Sequence, residues 1–195
     1  MRRLISLIEA AVPQGDGFLM WHGSKRWDGA PEVRPPRAGR YEAGPGIYLT
    51  TNYMTAAKYA KGGGSTFLVE VDRGLRLAGD VLIPLTDAVS FVKTAPRMRR
   101  KAEIIADLQR NTARRNADSV QATILINLVV NHEAGAGITG IAVAKFLREH
   151  GVDASLEPQS GEDWLVVINP KIIRSMRRMP AKDVAVDMYH LPKIP

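Results

Sequence analysis

Residues 18–27 read FLMWHGSKRW, and their reading decides the fold. Four apolar residues describe a short buried strand over 17–22. The strand runs into His22, Gly23 and Ser24 and then into a basic, aromatic loop. A histidine followed by glycine at the end of such a strand puts a hydrogen-bonding ring beside a stretch of main chain that a ligand can approach closely.

Outward from this stretch, residues 25–45 carry four prolines and five basic residues without a period, as a long surface loop does. GIYLT (46–50) is a second strand. TNYMTAAKYAKGGG (51–64) is a short helix with a Thr or Asn N-cap and glycines at its end. STFLVEVD (65–72) alternates as a strand. Residues 86–132 change to helical spacing, with Ile104, Ile105 and Leu108 on one stretch and Val120, Ile124, Leu125 and Leu128 on another. A further helix, ITGIAVAKFLREHG, stops at Gly151. VDASLEP and DWLVVINP are strands joined by the turn QSGE. At the other end, MRRLISLIEAAVP has amphipathic-helix spacing interrupted by Glu9, unlike a signal peptide. Strands on both sides of a helical insert around residues 86–150 predict an α+β fold with a mostly antiparallel core, in one domain over 1–195.

The 195 residues are 45% apolar and 24% charged, with no apolar run approaching the ~20 residues of a membrane span. Cysteine is absent, which removes disulfide and thiolate chemistry and favours a cytoplasmic location. The net charge is +7 and the isoelectric point 9.9. Basic residues cluster at 97–101, 110–115 and 171–178, a pattern that suits a polyanionic partner and equally a surface kept soluble; the insert's arginines fit an acidic or phosphate-rich target or an ordinary solvated helix face. HEAGAG (132–137) lacks the second histidine of a zinc-protease helix, so no metal is expected. KGGGST lacks the lysine of a phosphate loop, and neither a dinucleotide GxGxxG unit nor a nucleophile elbow is present.

The set that survives is ordered: His22-Gly23-Ser24 at a strand end, Gly44-Pro45-Gly46-Ile47-Tyr48 on a second strand, and Tyr59, eleven residues after Tyr48, on the helix that follows. It resembles the nicotinamide pocket of ADP-ribosyltransferases, in the His-Tyr-Glu branch of diphtheria toxin and the poly(ADP-ribose) polymerases. The resemblance covers roughly residues 18–72 and returns near the C-terminus. It implies a split antiparallel β core with flanking helices and NAD as co-substrate. Tyr48 and Tyr59 would sandwich the cationic nicotinamide. Gly23 would offer its backbone to the carboxamide, with Ser24 beside it. His22 would bond a ribose hydroxyl. Arg26, Arg34, Arg37 and Arg40 would pair with the pyrophosphate.

The same resemblance implies a carboxylate at the head of a late strand, and GEDWLVVINP supplies two candidates. Counting from Trp164 selects Asp163, the preferred residue, while counting back from Asn169-Pro170 selects Glu162; Glu157 and Gln159 are outsiders. Successive strand residues face opposite sides, so only one of the leading pair can serve. The implied activity is transfer of a single ADP-ribose to a macromolecular acceptor, protein or nucleic acid, as in a bacterial or phage effector. Ala56, where the polymerases carry a serine, argues against chain elongation. An NAD glycohydrolase, or a basic nucleic-acid-binding module with a vestigial pocket, stands as the alternative. Taken singly, His22, Tyr48 and Tyr59 also fit ordinary structural roles.

Overall fold

The computed structural model describes residues 17–25, 27, 29–35 and 41–195. The expected N-terminal helix, and Arg26, Arg37 and Arg40, lie outside the described residues.

In chain order, the first strands are β1 (Phe18–Ser24) and β2 (Ile47–Thr50), followed by helix α1 (Tyr53–Tyr59) and β3 (Ser65–Val71). A helical region comes next: β4 (Leu82–Pro84), α2 (Leu85–Thr94), α3 (Lys101–Arg115), β5 (Ser119–Gln121), α4 (Ala122–Asn131) and α5 (Ile138–Glu149). The chain then returns to the sheet as β6 (Ala154–Gln159), β7 (Glu162–Val167) and β8 (Ile173–Met179). The result is a mixed α+β architecture: a six-stranded antiparallel sheet in the order β6-β7-β2-β1-β3-β8, with β4 and β5 pairing separately.

The sheet buries both faces. Met20 and Trp21, adjacent on β1 and therefore on opposite faces, are each 0% exposed. Met20 packs with Leu49, Val69 and Leu165, whereas Trp21 packs with Tyr53 and Ala56 of α1. The helical region has a core of its own, built from Ile83, Ile104, Leu108, Leu125, Val143 and Leu147. It meets the sheet at Ile168 and at the loop carrying Tyr41 and Gly44, where a Cβ on Gly44 would sit 2.6 Å from Ile126.

One expectation changes. Val120 belongs to β5 and pairs with Ile83, because the extended Ser119–Gln121 segment precedes the helix that Ala122 begins. The basic run 171–178 enters an edge strand, β8, which carries exposed Arg174, Arg177 and Arg178; charged side chains on a sheet edge discourage pairing with other chains. The insert otherwise spans α2 to α5 as expected, with β5 inside it paired to β4 just before it.

One feature of the sheet creates the site. Strands β1 and β3 share seven ladder pairs and β2 and β7 share four, but β1 and β2 share one, Trp21↔Thr50. Beyond that pair, residues 22–24 keep ladder partners on the β3 side alone, and the sheet is split.

Candidate functional site

At the split, a cleft of about 690 Å³ opens among β1, β2, α1 and the loops 25–35 and 41–46, within the ~300–1,000 Å³ range of small-molecule sites. Residues from both faces of β2 line it, Ile47 and Leu49 along with Tyr48 and Thr50, because no neighbouring strand closes the gap.

His22 stands in the gap. Its Nδ1 lies 2.8 Å from the carbonyl oxygen of Tyr48, across the missing ladder. A carbonyl only accepts, so Nδ1 carries the proton and Nε2 of the neutral ring is the acceptor. Burial pulls the imidazole pKa down to about 4, against a smaller upward pull from the Tyr48 carbonyl, and so keeps the ring neutral at physiological pH. Trp27 abuts the imidazole edge-on, with centroids 4.3 Å apart and planes at 79°.

Tyr48 is fixed at its far end. Its hydroxyl donates to Gly44 O (2.7 Å) and accepts from Ala43 N (2.9 Å). Burial raises its pKa to about 12, so the phenol does no acid–base work near neutrality. Tyr59, 51% exposed, stands at the mouth with its hydroxyl 3.5 Å from a Glu42 carboxylate oxygen. Partial burial, then Glu42 and finally the Glu162 charge, raise its pKa. The Trp164 ring meets Tyr48 at 78° and Tyr59 at 80°, with centroids 6.3 and 6.5 Å away. Each phenol plane is thus nearly perpendicular to the indole.

Helix α1 delivers Tyr59 because Asn52 caps it: the side-chain oxygen accepts from Met54 N (2.9 Å) and Thr55 N (3.4 Å), satisfying two amides that the first turn leaves open. Gly23 has a steric reason beside any contact with a ligand. A Cβ there would lie 1.7 Å from the carbonyl oxygen of Ala56, so only glycine lets α1 pack onto β1. Ser24 and Lys25 follow along the cleft wall, and Arg34, paired with Glu32 at 2.6 Å, lines its far side.

The late carboxylates separate by face. The ladder sets Thr50 opposite Trp164, so Trp164 and, two residues before it, Glu162 share the cleft side of β7. The Glu162 carboxylate is held by two hydroxyls, Thr50 Oγ1 at 2.5 Å and Thr55 Oγ1 at 3.1 Å, and both threonines line the cleft. Asp163, the residue preferred from the sequence, turns to the opposite face. It is 4% exposed and accepts there from the backbone N–H of Ile194 (3.0 Å). The strand's parity thus puts Glu162, rather than Asp163, beside the cleft. Glu157 pairs with Trp164 and Gln159 with Glu162 on the neighbouring strand β6, further out.

No family model, curated protein or solved structure matches the chain.

The site therefore rests on its own geometry. The cleft unites His22, Gly23, Ser24, Tyr48 and Tyr59, with Glu162 one hydroxyl away. Sequence reasoning missed Trp27, Thr50 and Thr55; Thr55 and Glu162 are 107 residues apart, a separation that only the fold closes. His132, which begins HEAGAG, bonds Asp107 at 3.0 Å on the helical region. Among the described residues, no group of three or more acidic or histidine side chains is placed to hold a metal, and no helix is long and apolar enough to cross a membrane.

Proposed function

We propose that the chain is an NAD-dependent mono-ADP-ribosyltransferase: it cleaves the nicotinamide–ribose bond and joins ADP-ribose to a macromolecular acceptor. The observation that carries this reading is the convergence of His22, Tyr48 and Tyr59 on one split-sheet cleft, with Glu162 held just behind its wall by Thr50 and Thr55. The residues suit the co-substrate. A cleft lined by Tyr48, Tyr59 and Trp164 offers a flat pyridinium ring faces for stacking and cation–π attraction. The neutral imidazole, its proton committed to Tyr48, presents Nε2 to a ribose hydroxyl. Lys25 and Arg34 on the cleft wall supply positive charge for a pyrophosphate.

In the reaction, an acceptor nucleophile attacks C1′ of the nicotinamide ribose. The C1′–N bond breaks, its electron pair leaves with neutral nicotinamide, and the acceptor's proton passes to solvent. Positive charge builds on the ribose as the bond lengthens, as in glycoside cleavage. Glu162, oriented by the Thr50 and Thr55 hydroxyls, stabilises that charge and holds the ribose 2′-hydroxyl. Tyr48 and His22 fix the two halves of the scissile bond relative to each other.

The test is incubation of the purified chain with adenylate-labelled NAD and a cell lysate, followed by protease or nuclease digestion. The expected result is nicotinamide release with label on a macromolecule, and the digestion that frees the label identifies the acceptor class. Nicotinamide release without labelled macromolecule makes the chain a glycohydrolase. No release, together with no shift of the melting temperature by NAD, overturns the reading.

A further inference from the structure

We infer that Asp163 is a positioning residue, fastening segment 184–194 across the back of the turn that holds Glu162. The inference rests on the reading above of Glu162 as the carboxylate at the ribose.

Glu162 depends on the turn between β2 and α1. Thr50 Oγ1 donates to one carboxylate oxygen and accepts from Asn52 N (3.0 Å), while Thr55 Oγ1 donates to the other. The orientation of both hydroxyls is thus set by the path of residues 51–53. That path is tied to β7 at Asp163 itself: Thr51 N donates to Asp163 O (3.1 Å), and Asp163 N donates to Thr51 Oγ1 (3.0 Å).

The opposite side of this turn is covered by the stretch 184–194, which packs on the turn, on α1 and on the sheet beneath. Met188 O accepts from Trp21 Nε1 at 2.9 Å. The Tyr189 ring lies 5.1 Å from that of Tyr53. His190 bridges Asn52, and Leu191 N donates to Thr51 O at 2.9 Å. The stretch ends on Asp163, whose Oδ2 accepts from Ile194 N (3.0 Å) and whose Oδ1 lies 3.8 Å from Lys193 Nζ. A carboxylate only 4% exposed requires such partners, and a backbone N–H fixes the segment's path more closely than a lysine does. Adjacent residues on one strand therefore divide the work: Glu162 meets the ribose, and Asp163, on the other face, secures the brace behind the threonines. Loosening the brace by a fraction of an ångström misdirects Glu162 while leaving Tyr48 and Tyr59 in place.

The experiment compares full-length wild type, Asp163→Ala, Asp163→Asn and Ile194→Pro. The asparagine keeps an oxygen for the Ile194 amide, and the proline deletes that donor without touching β7. Two readouts are taken: hydrogen exchange at the amides of residues 52–56, and the NAD-cleavage rate resolved into kcat and KM. The expected result is faster exchange at 52–56 in the alanine and proline variants, a kcat lowered by about tenfold or more with KM for NAD within about twofold, and near-complete rescue in the asparagine variant. Unchanged exchange in Ile194→Pro overturns the inference, as does a fall in activity carried by KM. Should wild type cleave no NAD, the enzyme reading falls, and the exchange result alone still decides whether Asp163 braces the turn.

Discussion

His22 and Tyr48 are joined by a side chain where the sheet lacks a ladder: Nδ1 of the first lies 2.8 Å from the carbonyl of the second, one residue past the single β1–β2 pair. The same bond that bridges the split sets the tautomer, aims Nε2 away from β2 and holds the two strands at a spacing that admits a ligand. The histidine thus has a structural role of its own in joining β1 to β2.

The bond predicts a pH signature. The folded-state pKa of His22 is about 4, against 6.5 in the unfolded chain. Between these values the unfolded chain takes up a proton that the native ring refuses. Stability is therefore lost as pH falls from 6.5 towards 4, by about 2–3 kcal/mol at this one site. Denaturant midpoints measured over this range should fall more steeply for wild type than for His22→Gln. Equal slopes would show that the imidazole titrates as if exposed. Above pH 6.5 the ring is neutral throughout, so NAD affinity should not vary with pH through this group.

Glu162→Gln tests the other half of the cleft. The amide retains the size of the side chain and an acceptor for one threonine, but it cannot offset positive charge on the ribose. Nicotinamide release should fall by roughly 100-fold or more, while NAD still raises the melting temperature. Preserved turnover in this variant moves the acid elsewhere.

Much of this arrangement is legible in the sequence, for local reasons. β1, β2 and α1 announce themselves because apolar runs, an Asn cap and a glycine stop act within a few residues of one another. β8 does not, because an edge strand exposing Arg174, Arg177 and Arg178 has the composition of a solvated basic run. The choice between Asp163 and Glu162 turns on strand parity, and a one-residue shift in counting reverses it. Only the pairing of Thr50 with Trp164 supplies the register, and that pairing spans more than half the chain. The threonines that grip Glu162 are invisible for the same reason.

Gly23→Ala separates packing from chemistry. The added methyl would lie 1.7 Å from Ala56 O and 2.6 Å from its carbonyl carbon, so α1 must move away from β1 and carry Tyr59 with it. A loss of about 1–3 kcal/mol or more is expected, with NAD binding weakened in the fraction that folds. Gly63→Ala is the control: at φ +89 with no atom within 4 Å, it meets backbone strain alone, of about 1–2 kcal/mol, and should leave NAD binding intact. Denaturant titration with and without NAD distinguishes the two.

The basic loop before α3 predicts where an acceptor meets the protein. Met98, 6% exposed, anchors the loop in the helical core, and Arg97, Arg99 and Arg100 around it face solvent. Arg97 and Arg100 both sit at φ 52, a left-handed conformation that arginine adopts only where the surroundings hold it. The loop is tied to α5 by Thr139 Oγ1 on Pro96 O (2.8 Å), and α5 abuts Tyr41, which lines the cleft. The loop so anchored presents exposed guanidinium groups to carboxylates or phosphates arriving on this side of the protein. Reversing charge at Arg99 and Arg100 should therefore slow transfer to an acidic or phosphate-rich acceptor by about tenfold at low salt, an effect of encounter rather than of chemistry. Nicotinamide release without acceptor should not change, because neither residue lines the cleft. The defect should shrink as salt rises and screens the wild-type advantage. Equal losses with and without acceptor would instead place the fault in the cleft, and identical transfer by both proteins at low salt would remove this loop from acceptor binding.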